Sequence, residues 1–396
     1  MQIAPRLQTI TEPQTIKMAK LSRELRANGV NVIDLSLGEP DFRTPEHICQ
    51  AAIKAIDDGF TKYTPVAGYP ELLNAISQKL KRDNNLDYAA SEILVSTGAK
   101  QSLANIVLSL VSPGDEVIIP VPYWVTYAAL VNLAGGTPVL VHCDIKDDFK
   151  ITAEQLEKYI TSRTRLFMFS TPCNPTGSVY SRLELEELAG VFKRYPQVSI
   201  ISDEIYEYIN YLGRHESIAQ FTELRDQVIV VNGMSKGFAM TGWRLGYMAG
   251  PRVIVQACEK LQGQFTSGAC SISQRASITA LTSDLGPTHE MAAAFRQRRD
   301  YVIGALRKIP GMKVTMPGGA FYAFPDISDL LGKSDGERTI DNDEALSMFL
   351  LDKAHVATVA GSAFGSSSCI RISFAASMTQ LMDAMERITA VISTLK

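Results

Sequence analysis

The chain has 396 residues, 46% of them hydrophobic, which is too long for one minimal core and long enough for two lobes. Its formal net charge is −3, from 39 basic and 42 acidic residues with no long run of either sign, so nothing marks a nucleic-acid footprint or a membrane-binding face. No apolar run reaches transmembrane length, and the opening MQIAPRLQTITEPQ has no apolar signal core; a soluble cytoplasmic protein is expected. Six scattered cysteines without a CxxC read as reduced thiols, and five scattered histidines without paired spacing argue against a protein-bound metal.

In chain order, 93–96 reads as a strand and 99–110 as a helix. Strands follow at 116–120, 138–142 and 166–170, the last ending at a Pro/Asn turn. Residues 182–195 have helical spacing through Leu185, Leu188 and Phe192; 198–202 and 228–231 are again strand-like. This alternation predicts an α/β fold, a mostly parallel sheet with helices on both faces. The last third differs. A long helix is expected over 288–309, short strands over 313–316 and 320–325, a polar surface loop over 332–343, and a C-terminal amphipathic helix carrying Leu381, Met385, Ile388, Ile392 and Leu395. It reads as a smaller α/β lobe.

The stretch VIVVNGMSKGFAMTGWRLGY, 228–247, carries the most chemistry. A β-branched run stops at Asn232-Gly233, Lys236 follows among small residues, and Arg244 opens a second strand-like run. A lysine held at the end of a buried strand suits an aldehyde cofactor bound as a Schiff base, and the nearby arginine suits that cofactor's phosphate, which points to pyridoxal phosphate. Other polar residues also sit at predicted strand ends, where open α/β sheets bind ligands: Gly98, Ala99 and Lys100 after the first strand, Trp124 after another, then Asn174 and Asp203. Each has an ordinary reading as well. Asp203 could be a helix cap, Asn174-Pro175-Thr176-Gly177 a plain turn, Tyr206 a core aromatic and Lys100 a solvent-facing helix lysine. Arg371, between apolar neighbours, either points to solvent by alternation or is recruited to a site.

Together with the segments at 36–42, 63–71, 96–101, 122–127, 174–177, 202–206, 318–322 and 370–374, the lysine stretch resembles the class I, fold type I aminotransferases, and bacterial aspartate aminotransferases most. The resemblance implies a large cofactor-binding domain over 46–286 and a smaller unit made of 1–45 and 287–396. It implies Lys236 as the imine-forming base, with Asp203 on the pyridine nitrogen and Tyr206 and Asn174 on the ring oxygen. Trp124 would lie on the ring face. Gly98, Ala99, Lys100, Ser235 and Arg244 would surround the phosphate, joined by Tyr63 from the other subunit of a homodimer. Arg371 and the Gly38 backbone would take the substrate α-carboxylate, with Trp124 and Asn174 beside it, and Lys100 would read a distal carboxylate. The implied reaction is exchange between L-aspartate and 2-oxoglutarate. Aromatic or broad-range transamination and a carbon–sulfur lyase remain open, as does a non-catalytic binding protein on the same fold. Relatives that accept prephenate carry a basic residue near position 12, where this chain has Thr11-Glu12-Pro13, so prephenate is not expected. Many relatives also place a phosphate-binding serine three residues before the lysine. That position is Gly233, leaving Ser235, Ser96 or Thr97 to substitute.

Overall fold

The computed structural model describes residues 3, 4, 7 and 14–396, so the expectation resting on Thr11-Glu12-Pro13 lies outside the described residues. The chain begins with helix α1 (Gln14–Ala27) and strand β1 (Ile33–Asp34), followed by α2 (Glu46–Asp57) and α3 (Pro70–Asn84). The alternating part then runs β2 (Ile93–Ser96), α4 (Ala99–Leu110), β3 (Glu116–Val121), α5 (Thr126–Leu133), β4 (Thr137–His142), α6 (Ala153–Tyr159), β5 (Thr164–Ser170), α7 (Arg182–Phe192), β6 (Ser199–Asp203), β7 (Val228–Gly233) and β8 (Gly246–Ala249). Helices α8 (Arg252–Phe265), α9 (Ser271–Thr282) and α10 (Gly286–Leu306) follow. The remainder holds β9 (Tyr322–Ala323), α11 (Asp343–Phe349), β10 (Val356–Ala357), β11 (Val359–Ala360), β12 (Ile370–Ser373) and α12 (Met378–Ile392).

Seven strands form one sheet in the order β2-β8-β7-β6-β5-β3-β4, with only β8 antiparallel to its neighbours. Alternate residues of the central strands fill two cores. Phe167, Phe169, Ile200, Val228 and Val230 pack on one face. Leu166, Met168, Ile201, Ile229 and Val231 pack on the other, among residues of α4, α5 and α8. Burial on both sides explains why these strands read as continuous apolar runs. Because β8 runs backwards between β2 and β7, those two strands end on the same side as the parallel ones.

A third core joins Met291, Phe295 and Leu306 of α10 to Leu381, Met385, Ile388 and Ile392 of α12, with Leu395 just beyond. The N-terminal part reaches this region through β1, which pairs in parallel with β10. Two expected strands differ. Residues 313–316 make a single bridge, Lys313 to Asp326, because Pro317 has no N–H to continue a ladder. The 320–325 strand contracts to Tyr322–Ala323: Ala320 takes a left-handed backbone at φ +55°, and Pro325 ends the donors. Nor does Arg244 open a strand. It caps the tight turn Thr241–Trp243 in left-handed conformation (φ +54°), and β8 starts at Gly246.

No helix among the described residues is long and apolar enough to cross a membrane, and the six cysteines are unpaired.

Candidate active site

The ends of β2, β3, β5, β6 and β7 open onto one cavity of about 300 Å³. Its walls carry Gly38, Ala99, Lys100, Trp124, Asn174, Asp203, Tyr206, Ser235, Lys236, Arg244 and Arg371, so most of the residues singled out in the sequence meet there. Among the described residues Asp203 is the sole carboxylate of the lining, set against four cationic side chains. Such a cavity favours ligands bearing more than one negative charge.

Lys236 hangs from the loop after β7, and its Nζ donates to the Gly38 carbonyl oxygen. Burial lowers its pKa to about 8; Arg371 and Arg244 act in the same sense, while Glu39 and Asp203 oppose them. Roughly a tenth of it is therefore neutral at pH 7, far more than for an ordinary lysine. Asp203 closes β6 and is buried. Burial raises its pKa to about 6, although Tyr127 Oη donates to its Oδ2 at 2.7 Å and the Ile205 N–H donates to Oδ1 at 3.3 Å. The next residue, Glu204, points away from the cavity. It accepts from Ser202 and Ser217 and lies 3.0 Å from His215 Nε2.

Arg371 alternates inward from β12 and is only 2% exposed. Its Nη1 donates to Asn174 Oδ1 at 2.9 Å and its Nη2 to the Ser36 carbonyl at 2.7 Å, while Nε has no partner among the described residues. Among the described residues no carboxylate forms a salt bridge with it. Burial lowers its pKa. An uncompensated buried guanidinium is costly, and an incoming carboxylate would remove that cost. Its bond to Asn174 takes the amide oxygen, leaving the amide N–H groups as donors.

At the start of α4, the Gly98 N–H turns back to Ser96 O at 2.8 Å, so it is not the free donor expected from the sequence. The free donors of that turn are the Ala99 and Lys100 N–H groups, at the positive end of the helix dipole. Gly98 contributes space instead: a Cβ there would strike the Arg244 guanidinium. Gly38 is likewise a matter of space, because a Cβ would lie 2.8 Å from Tyr322 Oη. Trp124 stands edge-on to Tyr127, with ring centroids 5.8 Å apart, and Lys100 Nζ lies 4.9 Å from its ring centroid. Loss of solvent, together with the Arg244 charge, lowers the Lys100 pKa.

Tyr63 is not brought to the cavity. It is 97% exposed beside a separate surface recess with Lys62, Thr64 and residues 268–271.

Residues 30–388 match the family model for class I and II aminotransferases. The chain belongs to the class I and II aminotransferases. A Petunia hybrida protein named bifunctional aspartate aminotransferase and glutamate/aspartate-prephenate aminotransferase is 48% identical, the match covering all of this chain and 83% of that one. A Nitrosomonas europaea aspartate/prephenate aminotransferase is 44% identical, with 99% and 100% covered. Among solved structures, the Rhizobium meliloti aspartate aminotransferase superposes with a TM-score of 0.97 at 44% identity over the whole of both chains. The Thermus thermophilus aspartate aminotransferase with maleate gives 0.93 at 37% identity over 99% and 100%.

This aminotransferase has no serine three residues before its lysine, and the structure supplies the reason. Gly233 pairs with Gly246, and a Cβ on Gly233 would sit 2.8 Å from Gly246 Cα and 2.9 Å from Leu245 O. Of the three substitutes, Ser235 lines the cavity. The Ser96 hydroxyl donates to Gln262 at 2.8 Å, and neither Ser96 nor Thr97 belongs to the lining. Sequence reading assigned no role to Tyr127 or Tyr322, both on the cavity wall. Tyr127 lies in the resembling segment 122–127, but Trp124 precedes α5, so no helical spacing joins the two. Tyr322 lies in the matched segment 318–322, but nothing local marks its hydroxyl as polar machinery. Thr15, Ser170, Ile205 and Thr241 complete the lining without any sequence signal.

Proposed function

We propose that this aminotransferase uses pyridoxal phosphate to exchange the amino group of L-aspartate with 2-oxoglutarate, giving oxaloacetate and L-glutamate. The observation that carries this reading is one cavity holding both a lysine lowered to about 8 and a buried arginine without an acid partner among the described residues. The residues present fit the cofactor. Lys236 offers its amine to the aldehyde, Asp203 its carboxylate to the ring nitrogen, and Tyr206 and Asn174 their donors to the ring oxygen. Trp124 covers a ring face. Arg244, Ser235 and the Ala99 and Lys100 N–H groups serve the phosphate, with Gly98 making room for Arg244. When bound, pyridoxal phosphate supplies an electron-withdrawing ring that stabilises negative charge on the substrate Cα.

The chain's own groups do the rest. Arg371 grips the α-carboxylate with its fork, aided by the Gly38 backbone, and thereby orients the Cα–H bond. Lys236 Nζ, once displaced by the incoming substrate amine, would take the Cα proton and hold it for redelivery. Asp203, above its pKa of about 6 at neutral pH, supplies the negative charge that keeps a ring nitrogen protonated. Lys100 reads the distal carboxylate from the cavity wall.

The names of the relatives and the position of Lys100 support aspartate. Full exposure of Tyr63 supports a homodimer in which it completes the neighbouring subunit's phosphate site. We place the cofactor-binding body at 46–286 and the smaller unit at 1–45 with 287–396, in a cytoplasmic protein. Thr11-Glu12-Pro13 argues against prephenate, whereas two of the relatives above carry it in their names, so prephenate is tested as a second amino acceptor.

The test is a screen of amino donors on purified wild-type protein and Lys100→Ala, with 2-oxoglutarate or prephenate as acceptor. Aspartate should yield oxaloacetate, and Lys100→Ala should lose acidic donors at least tenfold more than aromatic ones, as expected for loss of a charged contact of about 1.5–3 kcal/mol. Release of pyruvate and ammonia would mark a lyase, and equal loss of both donor classes would remove Lys100 from substrate reading.

A further inference from the structure

We infer that Tyr322 is a positioning residue for Tyr206, directing the one phenol proton that Tyr206 can donate into the cavity. The inference rests on the pyridoxal phosphate reading above. Tyr322 Oη and Tyr206 Oη lie 2.8 Å apart, both side chains are buried, and among the described residues neither hydroxyl has another side-chain partner. Tyr322 lies on β9, whose register sets it opposite Ser373 of the strand that carries Arg371. The Arg371 guanidinium stacks 4.5 Å from its ring centroid, and the Tyr206 ring meets it edge-on at 5.9 Å. Its oxygen closes against Gly38, where no Cβ fits. Three sides of the Tyr322 ring are therefore fixed, and its hydroxyl is held in place.

Proton accounting gives the direction. Two phenols carry two protons and share one hydrogen bond. If Tyr206 donated to Tyr322, Tyr206 would face the cavity only as an acceptor, and the Tyr322 proton would have no acceptor among the described residues. If Tyr322 donates, both needs are met: the Tyr206 proton is left for an acceptor in the cavity, and Tyr206 becomes a stronger donor because its oxygen is itself hydrogen-bonded. A donor on the cofactor's ring oxygen favours the unprotonated form of the lysine-bound cofactor. Tyr322 should therefore help lower the pH at which the bound cofactor's visible absorbance changes.

The experiment is a pH titration of that absorbance in wild-type holoenzyme, Tyr322→Phe, Tyr206→Phe and the double variant, with the unfolding midpoint of each cofactor-free protein alongside. One neutral hydrogen bond corresponds to a midpoint shift of roughly 0.5–1 pH unit. Tyr322→Phe should move the midpoint up by about that much, and Tyr206→Phe should move it further. The double variant should match Tyr206→Phe alone, because Tyr322 acts only through that phenol. Gly38→Ala, which displaces the Tyr322 hydroxyl, should shift the midpoint in the same direction. An unmoved midpoint in Tyr322→Phe, or additive shifts in the double variant, would overturn the inference. A wild-type protein that develops no lysine-dependent absorbance would instead overturn the cofactor reading on which it rests.

Discussion

Restoring the missing serine at position 233 should harm this protein. A Cβ on Gly233 would lie 2.8 Å from Gly246 Cα and 2.9 Å from Leu245 O, closer than real Cβ atoms come. Both contacts are backbone, one in β8 and one in the residue just before it, and β8 is an interior strand that cannot swing aside like a side chain. Nor can β8 retreat freely, because the Ala99 backbone nitrogen already fills the space next to Gly246. The displacement would pass to the N-terminus of α4, where the proposed phosphate donors lie. Overpacking of this kind costs about 1–3 kcal/mol. Replacing glycine stiffens the unfolded chain and returns roughly 0.4–1 kcal/mol. Gly233→Ser should therefore be about 1–2 kcal/mol less stable than wild type in equilibrium urea unfolding of the cofactor-free protein. Its affinity for pyridoxal phosphate should fall rather than rise. Gly233→Ala separates the two effects: it carries the same Cβ without the hydroxyl and should behave alike. A Gly233→Ser protein of unchanged stability that binds the cofactor more tightly would refute the steric argument.

Asp203→Asn should trade activity for stability. The carboxyl's folded pKa is about 6 against an ordinary 3.8, so its favourable contribution is present below about pH 4 and is lost as pH rises through 6. At pH 7 the cofactor-free variant should be about 2–3 kcal/mol more stable than wild type. That gain should vanish below pH 4 in paired urea melts, while turnover falls at least a hundredfold; a less stable variant at pH 7 would contradict the burial argument. Tyr127→Phe removes the 2.7 Å donor that holds the Asp203 pKa down. The acidic limb of its kcat/KM profile should move up by about 1–2 pH units, since a bond to a charged group is worth roughly 1.5–3 kcal/mol. An unmoved limb would show that this bond does not tune Asp203.

Much of the fold was legible because burial on both faces of the sheet forces continuous apolar runs, as in 166–170 and 228–231. What failed was local. Residues 313–316 have strand-like composition, yet the proline at 317 ends the ladder after one bridge. Arg244 read as part of a strand because its left-handed turn is invisible without backbone angles. Alternation alone could not decide whether Arg371 faced solvent; only the packing of Tyr322, Phe364 and Asn174 around it does. Gly98 was expected to donate its own N–H because a helix start has free donors in general, but its N–H bonds to Ser96 O and the free donors lie one and two residues later. The site residues at strand ends were readable because the topology of an open sheet puts them together. Tyr127 and Tyr322 were not, because their roles depend on hydroxyl contacts that no spacing encodes.

The most direct measurement compares Lys236→Ala with wild type, after incubation with pyridoxal phosphate, for visible absorbance and for oxaloacetate formed from L-aspartate. The wild type should show a pH-dependent absorbance that aspartate discharges as oxaloacetate appears, and Lys236→Ala should show neither. A variant that keeps both the absorbance and the turnover would contradict the central claim that this lysine holds the cofactor and moves the proton.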